Sequence, residues 1–140
     1  SPYDAWLTWY FSEEERAEGT MTSQLSDPDA DGLNNILEFG SGLDPRSAEN
    51  LPPVEVLHGT APGEAILKFR RRALPRGLSV MIEKSTDLQL WQSCRAEDIE
   101  TISVEKTGDW GVEVVTARLL IDPIAPAPMR YLRLRVEVGD

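Results

Sequence analysis

The chain contains one cysteine, Cys94, and one histidine, His58, in 140 residues. A single cysteine excludes an intrachain disulfide, so the usual covalent staple of small extracellular domains is missing. A single histidine, in a segment flanked by Pro and Gly, offers little to acid–base chemistry, and Cys94 has no recognisable base partner in the sequence. No Gly-rich phosphate loop is present either. These absences predict a protein that is not an enzyme. No apolar run approaches the roughly 20 residues of a membrane span. Basic residues are also scarce: 14 Lys and Arg stand against 24 Asp and Glu, for a net charge of −10. The excess is uneven, since residues 1–50 carry −9 and residues 51–140 only −1. Nucleic acid, which is bound through a basic face that releases counterions, is therefore not an expected partner.

The acidic half is organised around Asp27-Pro-Asp29-Ala-Asp31-Gly32-Leu33-Asn34-Asn35-Ile36-Leu37-Glu38. A calcium ion takes roughly six to eight oxygens, and a twelve-residue loop supplies them from positions one, three, five, seven, nine and twelve. Those positions hold Asp27, Asp29, Asp31, the carbonyl of Leu33, Asn35 and Glu38. Gly32 falls sixth, where a sharp turn favours a residue without Cβ. Asp, Asn, Gly and Pro also form ordinary solvated turns. Three aspartates and a glutamate this close would, however, repel one another without a cation. The spacing thus predicts a Ca²⁺ site; Mg²⁺ fits less well because it keeps more of its waters.

Around this loop the periodicity predicts helices. Residues 4–11 place Trp6, Trp9 and Tyr10 at helical spacing as a packing face, with Asp4 as the cap. Ser12-Glu13-Glu14-Glu15 reads as a capping box opening a second helical turn that Gly19 ends. A third short helix carries Leu33, Ile36, Leu37 and Phe39, and Gly40 and Gly42 stop it. Asp44 is expected to cap the following Leu43-Asp44-Pro45 turn, with a remote metal ligand as the lesser alternative. Periodicity disappears over Ser47–Pro53, which marks a boundary between a helical segment, 1–50, and a β region, 51–140, packed together as one unit.

From Val54 the pattern alternates. Strands are predicted over Ala65–Arg72, Leu78–Glu83, Leu90–Arg95, Ile99–Lys106, Gly111–Ile121 and Met129–Val138. Val114-Val115 interrupts the alternation as a bulge would, and Thr107-Gly108-Asp109 suits a hairpin turn. Six or seven short strands at this spacing predict a mainly β fold with a small α-helical cap: an Ig or fibronectin III-like β-sandwich, with a barrel as the alternative. Leu88 and Trp91 are expected to fold back as core. Trp110, in the hairpin, and Tyr131 and Arg133, on the last strand, are the candidate ligand-binding residues; Arg70, Arg72, Arg133 and Arg135 would form one ladder if their strands were adjacent.

With these motifs in view, the chain resembles a recurring C-terminal module of large secreted bacterial proteins. In that family an Asp-x-Asp-x-Asp-Gly-Leu-x-Asn-x-x-Glu loop follows an aromatic helix, as Asp27 to Glu38 follow Trp6 here. A Gly-Leu-Asp-Pro turn comes next, matched by Gly42-Leu43-Asp44-Pro45. A β region follows, with an Arg-rich strand, a Glu-x-Ser-x-Asp-Leu-x-x-Trp segment and a terminal Arg-rich strand, to which Phe69–Arg72, Glu83–Trp91 and Arg130–Val136 correspond. The loop is also similar to EF-hand, dockerin and thrombospondin type 3 loops, although dockerins pair two loops and this chain has one. The resemblance implies a calcium-containing accessory module, secreted or at the cell surface, and the abrupt Ser1-Pro2-Tyr3 start suits a piece of a longer protein. Two functions follow as expectations: a calcium-stabilised structural or interaction module with a protein or glycan partner at the cell surface, or a carbohydrate-binding module on a secreted enzyme.

Overall fold

The computed structural model describes residues 1–48, 52–57, 64–73, 78–108, 111–120 and 131–138. Helix α1 spans Pro2–Tyr10, α2 Glu13–Glu18 and α3 Asn35–Ser41. α1 starts earlier than the aromatic periodicity suggests. Ser1, not Asp4, is its cap, and Asp4 is the third residue of a capping box whose side chain answers the Ser1 backbone. Pro2 in the first turn lacks an N–H that the helix could not have used. Only part of the aromatic face packs, since Trp6 is buried while Trp9 is 57% exposed. α2 has the expected Ser12–Glu15 capping box and ends at Gly19 in the left-handed region.

Seven strands are present among the described residues: β1 Val54–Leu57, β2 Glu64–Arg72, β3 Leu78–Ser85, β4 Gln92–Ser93, β5 Ile99–Lys106, β6 Val112–Leu120 and β7 Tyr131–Val138. They form two antiparallel sheets, ordered β1-β2-β6-β5 and β4-β3-β7. The fold is mainly β with a few helices. Alternation sets the register, because a one-residue slip would turn every apolar side chain outward. Leu67 sits opposite Ala117 and Phe69 opposite Val115 in the first sheet, and Ile82 opposite Leu134 in the second. These side chains share one buried cluster with Tyr3, Trp6 and Phe39 from the helices. Within it the Phe39 ring lies 5.4 Å from Trp6 and 5.6 Å, edge-on, from Tyr3. Such ring pairs add about 0.5–1.5 kcal/mol each beyond area burial.

Several expectations change in the β region. The irregularity lies in β5, where Ile102 is the extra residue between Thr101 and Ser103, while β6 runs in unbroken register past Val114 and Val115. Val114 faces Arg70 across the sheet and Val115 faces Phe69, so two adjacent valines serve opposite faces without a bulge. The strand expected over Leu90–Arg95 shrinks to Gln92–Ser93 because Asp87 Oδ1 accepts the N–H groups of Gln89 and Leu90 in a tight turn. That turn holds Leu88 at a φ of 67°, 56% exposed, so Leu88 is not core. Trp91 is half-buried under the Arg133 guanidinium, 4.2 Å from its ring centroid. The four-arginine ladder does not form: Arg70 and Arg72 lie on β2 and Arg133 and Arg135 on β7, in different sheets.

Helix α3 joins the two halves. It packs on β2, β3 and β7. Arg72, buried at the end of β2, donates from Nε to the Phe39 carbonyl at 2.9 Å and lies over the Phe39 ring. Gly42 ends α3 at a φ of 70°. Gly40, expected to stop the helix, lies inside it, because a Cβ there would strike the side chain of Val136. Gly40→Ala should therefore destabilise the protein by about 1–3 kcal/mol through overpacking against a stiff β-branched neighbour. An exposed helical site would instead gain up to about 1 kcal/mol from the same change. Urea denaturation gives the sign, and a variant as stable as the parent would contradict this packing.

Candidate metal centre

Asp27, Asp29 and Asp31 each bring a carboxylate oxygen within 4.8 Å of the other two. The backbone arranges this convergence. Ala30 and Gly32 both take positive φ, 57° and 90°, so the chain reverses twice within a few residues. For Ala30 this conformation costs roughly 1–3 kcal/mol. Loop amides then hold the carboxylates: Asp31 and Gly32 donate N–H to Asp27 at 3.2 and 2.9 Å, and Leu33 donates to Asp31 Oδ1 at 2.8 Å. Asp29 Oδ1 accepts from the Asp31 N–H at 3.3 Å. Among the described residues, Asp29 Oδ2 is buried without a hydrogen-bond partner.

Glu38, at the twelfth position, arrives from α3. Asn34 caps that helix through the Leu37 N–H, and Glu38 lies in its first turn. Its side chain is 0% exposed. Burial first, then the charges of Asp29, Asp31, Asp27 and Asp44, push its carboxyl up to about 8. Asp29 is pushed up to about 6, by burial and by its neighbours Asp27 and Asp31. The three aspartates converge within 4.8 Å of one another without Glu38, yet their charges raise the cost of ionising Glu38. A hard divalent cation among them would reverse that cost and favour the carboxylates.

Asn35, the ninth residue of the loop, is also 0% exposed. Its backbone N–H donates to the Ser26 carbonyl at 2.8 Å, and its side-chain Nδ2 donates to the carbonyls of Met21 and Ser23 at 2.8 and 3.0 Å. Between those two, the Thr22 carbonyl accepts the hydroxyl of Tyr3 at 3.0 Å. Burial pushes the Tyr3 phenol up to about 12, so it stays a donor. Tyr3 and the connector carbonyls have no counterpart in the loop spacing, since their partners lie 12 to 19 residues away. Asp44 accepts the Arg46 N–H at 2.8 Å, the capping role expected of it.

The candidate ligand-binding residues of the β region do not gather here. Tyr131 is 39% exposed on β7, beside Arg133 on the same face of the strand. Arg133 donates to Glu83 Oε1 at 2.7 Å and Arg135 to Oε2 at 3.3 Å; the Glu83 side chain is only 3% exposed. Two arginines thus offset one buried carboxylate. Trp110 lies outside the described residues, as does His58.

The raised carboxyls set a pH dependence. In the metal-free protein Glu38 holds its proton up to about 8, whereas the unfolded chain releases it near 4.5. The folded state therefore binds more protons between these values, and stability falls as pH rises through that window. Below it both states are protonated and the effect vanishes. Thermal melts in EGTA between pH 5 and 8 should show a falling Tm, and a flat or rising profile would contradict the burial of Glu38 among the aspartates.

No protein-family model, curated protein or solved structure matches the chain.

Proposed function

We propose that the chain is a non-catalytic module whose Asp27–Glu38 loop binds one Ca²⁺ and thereby stabilises the packing of the helices on the sheets. The observation that carries this is the burial of Glu38, at 0% exposure, beside three converging aspartates. A solvated acidic turn has no reason to place its fourth carboxylate in the interior, where an isolated charge is costly. Asp27, Asp29, Asp31, the Leu33 carbonyl, Asn35 and Glu38 would be the ligands. Oxygen donors alone, in this number, suit calcium better than the softer transition metals or the water-retaining Mg²⁺. A site filled by protein oxygens leaves no open position for activating water, which fits a structural rather than a hydrolytic ion.

Two antiparallel sheets sharing one core support an Ig or fibronectin III-like sandwich as the scaffold, capped by the helix–loop–helix segment. The resemblance of the motif order to accessory modules of large secreted bacterial proteins supports a secreted or cell-surface setting. Calcium there is plentiful enough for a loop of modest affinity. Among the described residues no helix is long and apolar enough to cross a membrane. Attachment or spacing within a larger surface protein, with a protein or glycan partner, is the role this module fits. A carbohydrate-binding role is the second reading, favoured by Tyr131 and the Trp91–Arg133 stack on the second sheet. It ranks lower because Glu83 and Trp91 already engage Arg133.

Linkage gives the size of the effect: free Ca²⁺ at 100 times its dissociation constant adds about 2.7 kcal/mol. Thermal melts in about 1 mM CaCl₂, in EGTA and in MgCl₂ should show a rise of several degrees specific to calcium, a concentration set by weak extracellular loops. Asp27→Ala and Glu38→Ala should each abolish that rise. Equal Tm values in calcium and EGTA for the parent protein would remove the basis of the proposal.

A further inference from the structure

The loop pattern treats its ninth position as an oxygen donor, for which asparagine and aspartate are interchangeable in principle. In this fold they are not. Asn35 donates from Nδ2 to two carbonyls, Met21 O and Ser23 O, and both of its amide hydrogens are thereby engaged. Two carbonyl acceptors can only face the NH₂ group, so the amide orientation is fixed by its partners. The oxygen is the atom left over. Among the described residues, Asn35 Oδ1 is buried with no hydrogen-bond partner, on a side chain that is 0% exposed. A buried amide oxygen without a donor is costly to the fold unless something else meets it. Asn35 lies three residues before Glu38 on α3, so the two side chains share one face of the helix.

The connector it grips is held by α1 as well, through Tyr3, whose hydroxyl also lies against the Asn35 side chain. Tyr3 of α1 donates to the Thr22 carbonyl, so three successive carbonyls, Met21, Thr22 and Ser23, are read alternately by α3 and α1. Further bonds from Asn35 N–H to Ser26 O and from Ile36 N–H to Gln24 O complete the seam.

We propose that Asn35 is a dual residue, whose amide nitrogen clasps the 21–23 connector while its Oδ1 coordinates the cation, with Tyr3 as the positioning residue that holds the connector in place. The proposal rests on the calcium reading of the loop and adds a requirement that the loop pattern lacks: the ninth position must be an amide. Aspartate keeps the oxygen and adds charge, but it has no N–H for Met21 O and Ser23 O and would set carboxylate against carbonyl. Outer-shell partners of metal ligands typically contribute about 10–100-fold to affinity.

The test is calcium titration calorimetry on the full chain, well below the melting temperature, for the parent protein, Asn35→Asp, Tyr3→Phe and Ile82→Val. Ile82, buried in β3, serves as a control that lowers stability away from the loop. Asn35→Asp and Tyr3→Phe should each weaken Ca²⁺ binding about tenfold or more, while Ile82→Val lowers Tm in EGTA and leaves the affinity unchanged. Affinity equal to or tighter than the parent's in Asn35→Asp would overturn the proposal. So would an unchanged affinity in Tyr3→Phe, which also decides the matter if Asn35→Asp does not fold. An equal loss of affinity in Ile82→Val would overturn it too, by reducing the effect to general destabilisation. A parent protein that takes up no calcium sinks the calcium reading itself, a result distinct from any of these.

Discussion

Glu38 is a carboxylate that the fold has removed from water and set beside three others, and the rest of the helical half is arranged around that constraint. Left to protons alone, the group stays neutral to about pH 8 and the loop charges work against the packing. A divalent cation bound there would exchange that repulsion for attraction and link loop to helix. The concentration of negative charge in residues 1–50 is thus only partly local in its cause. Asp27, Asp29, Asp31 and Glu38 belong to the loop and Asp4 and Glu15 to helix caps, while Glu13, Glu14 and Glu18 are exposed on α2.

The helix that carries Glu38 is held on one side by the β region. Gly40 meets Val136, Gly42 meets Val112, and Arg72 donates to the Phe39 carbonyl. On its other flank Phe39 packs on Tyr3 and Trp6. Because one helix supplies both the last loop acid and part of the shared core, any stabilisation gained at the loop would reach the sheets through direct contacts. Side chains of the helices and of both sheets contribute to one buried cluster. The clasp from Asn35 and Tyr3 closes the remaining side, tying the connector before the loop to the helices on both flanks.

Much of this was legible in the sequence. Helix caps at Ser12 and Gly19, the convergence of Asp27, Asp29 and Asp31, and the alternation of β2, β3 and β7 depend on residues near one another in the chain, and local chemistry specifies them. What was not legible depends on tertiary partners. Gly40 looks like a helix stop until Val136 occupies the space where its Cβ would be. Val114-Val115 looks like a bulge because two adjacent apolar residues serve opposite faces of β6, while the actual irregularity at Ile102 leaves no mark in the pattern. Leu88 and Trp91 look like core, yet the Asp87 turn turns Leu88 outward and an arginine from β7 covers Trp91. The role of the Asn35 amide nitrogen needed the connector carbonyls, which no spacing rule reaches.

The central claim is that a single calcium ion completes the Asp27–Glu38 loop from within the folded chain. Amide-resolved NMR during a calcium titration tests it most directly, because the Gly32 N–H bonded to Asp27 and the Asn35 side-chain NH₂ both report on the loop interior. The account predicts that one equivalent of Ca²⁺ shifts these two signals together and saturates, with Mg²⁺ failing to reproduce the change. Weak, non-saturating shifts confined to exposed acidic residues, with the Gly32 and Asn35 signals unmoved, would contradict it.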